Sequence, residues 1–284
     1  ELGLGVSPDL LPDFGAAMER MRAIRARISH EDSAARYHRD FGVDVFFGNA
    51  RFAGPGTVDV DGTALAFKKA VIATGARATA PPIEGLAEAG YLTNETVFAL
   101  TERPKRLAVI GAGPIGCELA QAFSRLGSHV SLLEYEPQIL TREDPDAAAI
   151  VQNVLVREGV ELVLGAAIRK VERKGDEKIL HFVRDERLEA IAVDEILVGA
   201  GRAPNVDGLG LESVGVAYDL RRGVKVDDRL RTANRRIYAA GDVIGFPALA
   251  STGAAQGRLA AAHAFGLETT PKNEVPLPYG IYAI

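Results

Sequence analysis

The stretch Arg106-Leu107-Ala108-Val109-Ile110-Gly111-Ala112-Gly113-Pro114-Ile115-Gly116 decides how this chain is read. An apolar run of strand length passes directly into a G-x-G-x-x-G string, and Pro114 suits the first turn of a helix. With 30 glycines in 284 residues the bare pattern carries little information. Its place between a strand and a helix gives it weight. There Gly111 makes the tight turn, Gly113 lets backbone approach a diphosphate, and Gly116 lets helix and strand pack closely. The helix start at Pro114 and Ile115 adds unpaired N–H donors and the positive end of the dipole.

The next apolar strand, His129 to Glu134, ends in a carboxylate about 20 residues further on, where it can accept hydrogen bonds from ribose hydroxyls. The same charge repels a 2′-phosphate. The expected ligand of Gly111, Gly113, Pro114, Ile115, Gly116 and Glu134 is therefore NAD(H), in preference to NADP(H). A glycine turn with an incidental glutamate is the alternative.

Outward from this point the pattern alternates. Helix Pro114 to Leu126, strand His129 to Glu134, helix Pro145 to Glu158 and strand Val160 to Leu164 are separated by glycine stops at Gly127 and Gly159, which implies a parallel sheet. Short strands at Ile168 to Val171, Ile179 to Val183 and Leu188 to Ile191 follow, before an apolar strand at Glu195 to Val198. Upstream, Phe14, Met18, Met21, Ile24 and Ile28 predict one helix from Asp13 to Asp40, capped by Gly42. Val43, Val45 and Phe47 then alternate, and with the turn Asp61-Gly62 they predict a small β-meander. Two more strands end in glycine turns, Ala70 to Gly75 and Arg236 to Asp242. One precedes and one follows the nucleotide unit, the arrangement expected when that unit is inserted into another domain.

Composition limits the function classes. A net charge of −5 and pI near 5.7 offer no broad positive field for nucleic acid or anionic lipid. In the basic stretch Arg221 to Arg236, Asp227 and Asp228 interrupt the positive run, and Asp219 lies just before it, so a solvated surface is expected there. The single cysteine, Cys117, excludes an intrachain disulfide and a dithiol redox pair, and is expected to be an inert buried thiol. The five histidines lack metal-ligand spacing, apart from His30 and His38 two helical turns apart, and no metal is expected. No apolar run has membrane-spanning length and no signal pattern opens the chain, so a cytoplasmic location is expected. A start at Glu1 instead of Met suggests a processed product or a fragment.

Taken with their order and separation, these motifs resemble the class I pyridine nucleotide-disulfide oxidoreductases, FAD enzymes that include lipoamide dehydrogenase, mercuric reductase and soluble transhydrogenase. The resemblance implies an α/β fold of two Rossmann-like domains, the NAD domain inserted into a truncated FAD domain. Its expected limits are 1–103 and 224–270 for FAD, 104–223 for NAD(H), and 271–284 for the start of a dimerisation domain. Ala73, Thr74 and Gly75 match the A-T-G turn beside FAD, and Gly241 and Asp242 match the G-D pair on the FAD ribityl chain. Gly199 to Asn205 matches G-R-x-P-N, with Gly201 and Arg202 assigned to the NAD side. Glu118 matches the glutamate that pairs with a lysine near the flavin.

The family's first G-x-G-x-x-G unit, its C-x-x-x-x-C disulfide and that lysine have no counterpart here. Pro114 stands where several relatives carry an aromatic residue over the nicotinamide. Leu107 to Phe123 and Arg142 to Val151 look like mercuric reductases, whereas Gly245 to Arg258 and Pro278 to Ile284 look like soluble transhydrogenases. The resemblance therefore implies hydride transfer from NADH to flavin and on to Hg(II), a disulfide or a second nicotinamide nucleotide, in a family of homodimers. Three readings stay open: a fragment of such an enzyme, a nucleotide-binding module without flavin chemistry, and a chain completed by a separate polypeptide.

Overall fold

The computed structural model describes residues 12–245, 248–267, 271 and 280–283. The expected dimerisation segment at 271–284 falls largely outside them, as do parts of the transhydrogenase-like stretches at 245–258 and 278–284. The chain divides into two compact units. The first comprises the described parts of Glu1–Asp32, Ala78–Gly201 and Ile281–Ile284; the second is built from Ser33–Arg77 and the described parts of Arg202–Gly280. These limits fall at 32, 77 and 201, not at the boundaries 103 and 223 expected from the sequence. The middle stretch of the first unit is inserted between the two stretches of the second.

A parallel sheet carries the first unit, with strand order Glu195–Val198, Arg106–Ile110, His129–Leu133, Glu161–Val163. Register is continuous, Leu107 lying opposite both Glu195 and Val130. Strands buried on both faces have no solvated side to populate, which explains their unbroken apolar runs. Leu107, Ala108, Val109, Val130, Leu132, Ile196 and Leu197 are fully buried. Helix Pro114–Arg125 begins on its proline and stops before Gly127, whose φ of 90° is left-handed. Helix Pro145–Arg157 is capped by Asp144, which accepts the Asp146 N–H. Packed beside this layer is an antiparallel sheet of Ala167–Lys174, Glu177–Arg184 and Arg187–Val193. Leu180 and Phe182 alternate into the core from its central strand.

The N-terminal amphipathic segment forms two helices, Phe14–Glu31 and Ala34–Phe41, where the sequence predicts one from Asp13 to Asp40. Ser33 accepts the Arg36 N–H and so starts a new helix, a competing cap that the apolar periodicity does not register. His30 and His38 therefore sit on separate helices. Phe14 and Met18 are buried within the first unit, with the Phe14 and Phe123 rings 6.0 Å apart.

The second unit holds the meander Ala50–Gly54, Thr57–Val60 and Thr63–Ala66, turning at Asp61-Gly62. The expected strand through Val43, Val45 and Phe47 is not formed, and these side chains are exposed. Alternation supplies a strand's pattern but no partner, and an unpaired strand does not persist. Ala70–Ile72 and Ile237–Ala239 pair in parallel over a core of Ile72, Leu211, Ile237, Ala239 and Val243.

Candidate functional site

Each glycine of the Gly111–Gly116 turn has a distinct physical reason to lack a side chain. Gly111 has φ of 96°, and a Cβ there would lie 2.8 Å from Ala200 Cα. At Gly116 a Cβ would collide with the Gly111 carbonyl oxygen, so the helix packs on the turn through bare backbone. Gly113 differs: φ is −73° and a Cβ would meet nothing within 4 Å. Its surroundings are open space at a helix N-terminus, where the N–H groups of Ile115 and Gly116 have no partner within the helix. The turn thus has two glycines that its own packing requires and one that only an incoming group would require.

Glu134 lies against this turn. Its carboxylate accepts the Ala112 N–H at 2.6 Å and the Glu136 N–H at 3.1 Å. Ala112 is almost fully buried, and its carbonyl accepts the Leu140 N–H at 2.8 Å and the Cys117 thiol at 3.3 Å. Leu140, buried at a left-handed φ of 50°, was not singled out by sequence reading; only the conformation of its backbone reveals its part. Burial and the nearby Glu134 and Glu118 charges push the Cys117 thiol up to about 12, as suits an inert side chain. Glu118 is exposed to a different contact, its Oε1 accepting the Tyr282 N–H at 2.8 Å.

The flavin-side candidates gather in the second unit at the C-terminal ends of its two parallel strands. Ala240 N–H donates to the Ile72 carbonyl at 3.0 Å, which brings Ala73, Thr74 and Gly75 next to Gly241 and Asp242. Thr74 Oγ1 donates to the Asn205 carbonyl, Asn205 Nδ2 to the Thr74 carbonyl, and Asn205 N–H to the Gly75 carbonyl. Gly75, at φ of 68°, has open space where a Cβ would stand. Gly241 donates its N–H to the buried Gln256 at 2.8 Å and lies close to Gly253 of helix Ala250–Ala264. In the first turn of that helix Thr252 Oγ1 is buried with no hydrogen-bond partner among the described residues. An orphaned hydroxyl, a helix N-terminus and an open glycine together fit a polar ligand such as FAD.

Two residues expected on the NAD side separate. Gly201 belongs to the first unit, where its carbonyl accepts the Thr79 N–H at 3.1 Å. Arg202 belongs to the second, its Nη2 donating to the Ala76 carbonyl at 2.7 Å and approaching Asp242 Oδ2 at 3.4 Å. Arg202 thus stands among the flavin-side candidates. Adjacent numbering gave no sign that a unit limit falls between the two. Gln256 and Thr252 were also missed, since one polar residue on a small-residue helix has no distinctive spacing. Among the described residues no group of three or more His, Cys, Asp or Glu could hold a metal ion, and no helix is long and apolar enough to cross a membrane.

The parallel sheets, glycine turn and paired strand ends define an α/β protein with a Rossmann-type strand–turn–helix unit. The family model for pyridine nucleotide-disulphide oxidoreductases matches residues 10–257, and the chain belongs to that family. It is 39% identical over 227 residues to a mercuric reductase of Bacillus cereus, covering 80% of this chain and 36% of that one. It is 37% identical over 238 residues to a dihydrolipoyl dehydrogenase of Thermus scotoductus, covering 82% of this chain and 51% of the relative. Among solved structures, the HOCl-induced flavoprotein disulfide reductase RclA of Escherichia coli superposes with a TM-score of 0.88 at 28% identity, over 96% of this chain and 62% of that one. The chain therefore spans between about a third and two thirds of the length of these relatives.

Proposed function

We propose that this chain is the nucleotide-binding portion of a flavin-dependent NAD(P)H oxidoreductase that prefers NAD(H). The observation that carries the reading is the open space at Gly113, directly at a helix start and beside an acid already anchored to the same turn. Gly111 and Gly116 set the turn, Gly113, Pro114 and Ile115 receive the diphosphate, and Glu134 accepts the ribose hydroxyls and repels a 2′-phosphate. Gly201 lies on the nicotinamide nucleotide side. Ala73, Thr74, Gly75, Gly241 and Asp242, joined by Arg202 and Thr252, hold FAD. FAD held by these residues would supply a hydride acceptor for NADH and a relay of electrons to an acceptor. The names of the relatives support Hg(II) or a disulfide as that acceptor, and the resemblance to soluble transhydrogenases a second nicotinamide nucleotide.

In functional terms 104–223, apart from Arg202 and Glu118, serve NAD(H), 1–103 and 224–270 serve FAD, and 271–284 lead toward a dimerisation domain in a cytoplasmic homodimer. Glu118 belongs to the flavin side of this scheme through the family resemblance. A second reading, NAD(H) binding without flavin chemistry, is favoured by the parallel sheet at Ala70–Ile72 and Ile237–Ala239, which has two strands among the described residues.

Fluorescence titration with NADH and NADPH, flavin absorbance of the purified chain and dye reduction separate the readings. NADH binding with bound flavin and dye turnover supports the first, and NADH binding with neither supports the second. Absence of NADH binding overturns both.

A further inference from the structure

Consecutive turns of the second unit, between Ala217 and Arg235, line an open cleft of about 410 Å³ that the nucleotide reading does not use. Its frame is closed by backbone hydrogen bonds. Lys225 N–H donates to the Ala217 carbonyl at 2.9 Å, Asp227 N–H to the Arg231 carbonyl at 2.9 Å, and Thr232 N–H to the Ile237 carbonyl at 3.0 Å. Thr232 is buried, and its hydroxyl reaches the carbonyls of Asn234 and Ile237. Asn234 Nδ2 ties the same turn to the Val214 carbonyl at 2.9 Å. The cleft is preformed, and a ligand need not order these turns on entry.

Its charge is unbalanced. Lys225, Arg231 and Arg235 line it against one carboxylate, Asp227. Asp227 is already committed, accepting the N–H groups of Arg229 and Arg231 on Oδ1 and the Arg231 guanidinium on Oδ2. That leaves Lys225 and Arg235, neither in a direct ion pair among the described residues, although the Lys225 charge acts on the Asp219 carboxylate. The adjacent Arg236 contrasts with them, its guanidinium donating to the carbonyls of Pro55, Phe67 and Lys68. The side chains lining the cleft carry three positive charges and one negative in a chain of net charge −5, with Asp219 acting on Lys225 from outside the lining. The remaining wall is apolar, formed by Ala217, Val226 and Ala233.

We propose that this cleft binds a small organic dianion, a phosphomonoester or dicarboxylate, held by Lys225 and Arg235 with its carbon body on Ala217, Val226 and Ala233. Arginine's planar fork matches a phosphoryl or carboxylate edge, and lysine adds a point charge for the second negative centre. A volume of several hundred Å³ admits an organic body as well as the anionic group, and small-ligand sites fall in this range.

Isothermal titration of the chain at low salt with phenyl phosphate, phthalate, inorganic phosphate and benzoate tests the proposal. Phenyl phosphate and phthalate should bind, with phosphate and benzoate about tenfold weaker or more, because each lacks either the carbon body or the second charge. K225A and R235A should each weaken phenyl phosphate about tenfold, and the double variant should abolish the heat. Circular dichroism and thermal unfolding should stay unchanged, since both side chains are solvent-facing. Absence of binding at millimolar dianion, equal affinity for phosphate and phenyl phosphate, or full binding by the double variant would each overturn it. Preference for phenyl phosphate or for phthalate identifies which dianion class the site takes.

Discussion

Ala112 and Glu134 are joined across 2.6 Å, the buried amide of the glycine turn donating to the carboxylate that ends the neighbouring strand. One side chain thus fixes the turn and presents charge where the ribose is expected. Replacing Glu134 with Ala leaves the Ala112 N–H buried and unpaired, which costs about 1–3 kcal/mol of folding stability. E134Q retains an acceptor and should unfold close to the parent, while NADH affinity falls about tenfold for loss of a charged hydrogen-bond acceptor. E134R should move the NADH-to-NADPH affinity ratio toward NADPH. Chemical denaturation and paired nucleotide titrations provide the readouts; an unchanged ratio in E134R would remove Glu134 from the ribose.

Gly113 and Gly116 make a sharper pair. G116A forces a methyl group onto the Gly111 carbonyl and should destabilise the fold by about 1–3 kcal/mol. G113A meets open space at an ordinary φ, so its unfolding midpoint should stay near that of the parent. Its NADH affinity should nevertheless drop about tenfold or more, because the methyl group occupies the diphosphate's approach. Normal NADH binding by G113A would falsify the assignment.

Cys117 should resist alkylation in the folded chain. Its thiol is fully buried, donates to the Ala112 carbonyl and is pushed up to about 12, so almost no thiolate exists at neutral pH. Mass spectrometry after iodoacetamide should show one adduct in denaturant and none without it.

The Arg125–Glu158 pair makes an acid-sensitive contribution. The Arg125 guanidinium grips the carboxylate at 2.7 and 2.8 Å and holds Glu158 below the usual carboxylate range. A depressed carboxylate contributes stability that is full above its unfolded pKa and disappears as pH falls through its folded value. Arg125 is half exposed, which limits the pair to about 0.5–1 kcal/mol. R125A should therefore trail the parent by that amount at neutral pH and match it in strong acid, when denaturation is followed as a function of pH.

Local rules made much of the first unit legible. Arg106–Ile110 and Glu195–Val198 have the limits that the sequence predicts, each a charged residue followed by an apolar run buried on both faces. The strands Ala167–Lys174, Glu177–Arg184 and Arg187–Val193 all run longer than predicted, because cross-strand hydrogen bonding extends beyond the apolar centre. Residues 43–47 carried a strand's alternation without a strand's neighbour. Within the site, glycine spacing assigned a turn to Gly111, an approach to Gly113 and close packing to Gly116, and the space around each glycine differs accordingly. Arg202 shows the limit most clearly: its partners, Ala76 and Asp242, are separated from it by 126 and 40 positions.

The division of labour within the glycine turn also bears on how such a chain diverges. Drift at position 116 strikes the scaffold and is purged with it, whereas drift at 113 silences the ligand contact and leaves a sound scaffold behind. A descendant that has abandoned nucleotide chemistry should carry its first mark at the middle glycine, with its outer two neighbours intact.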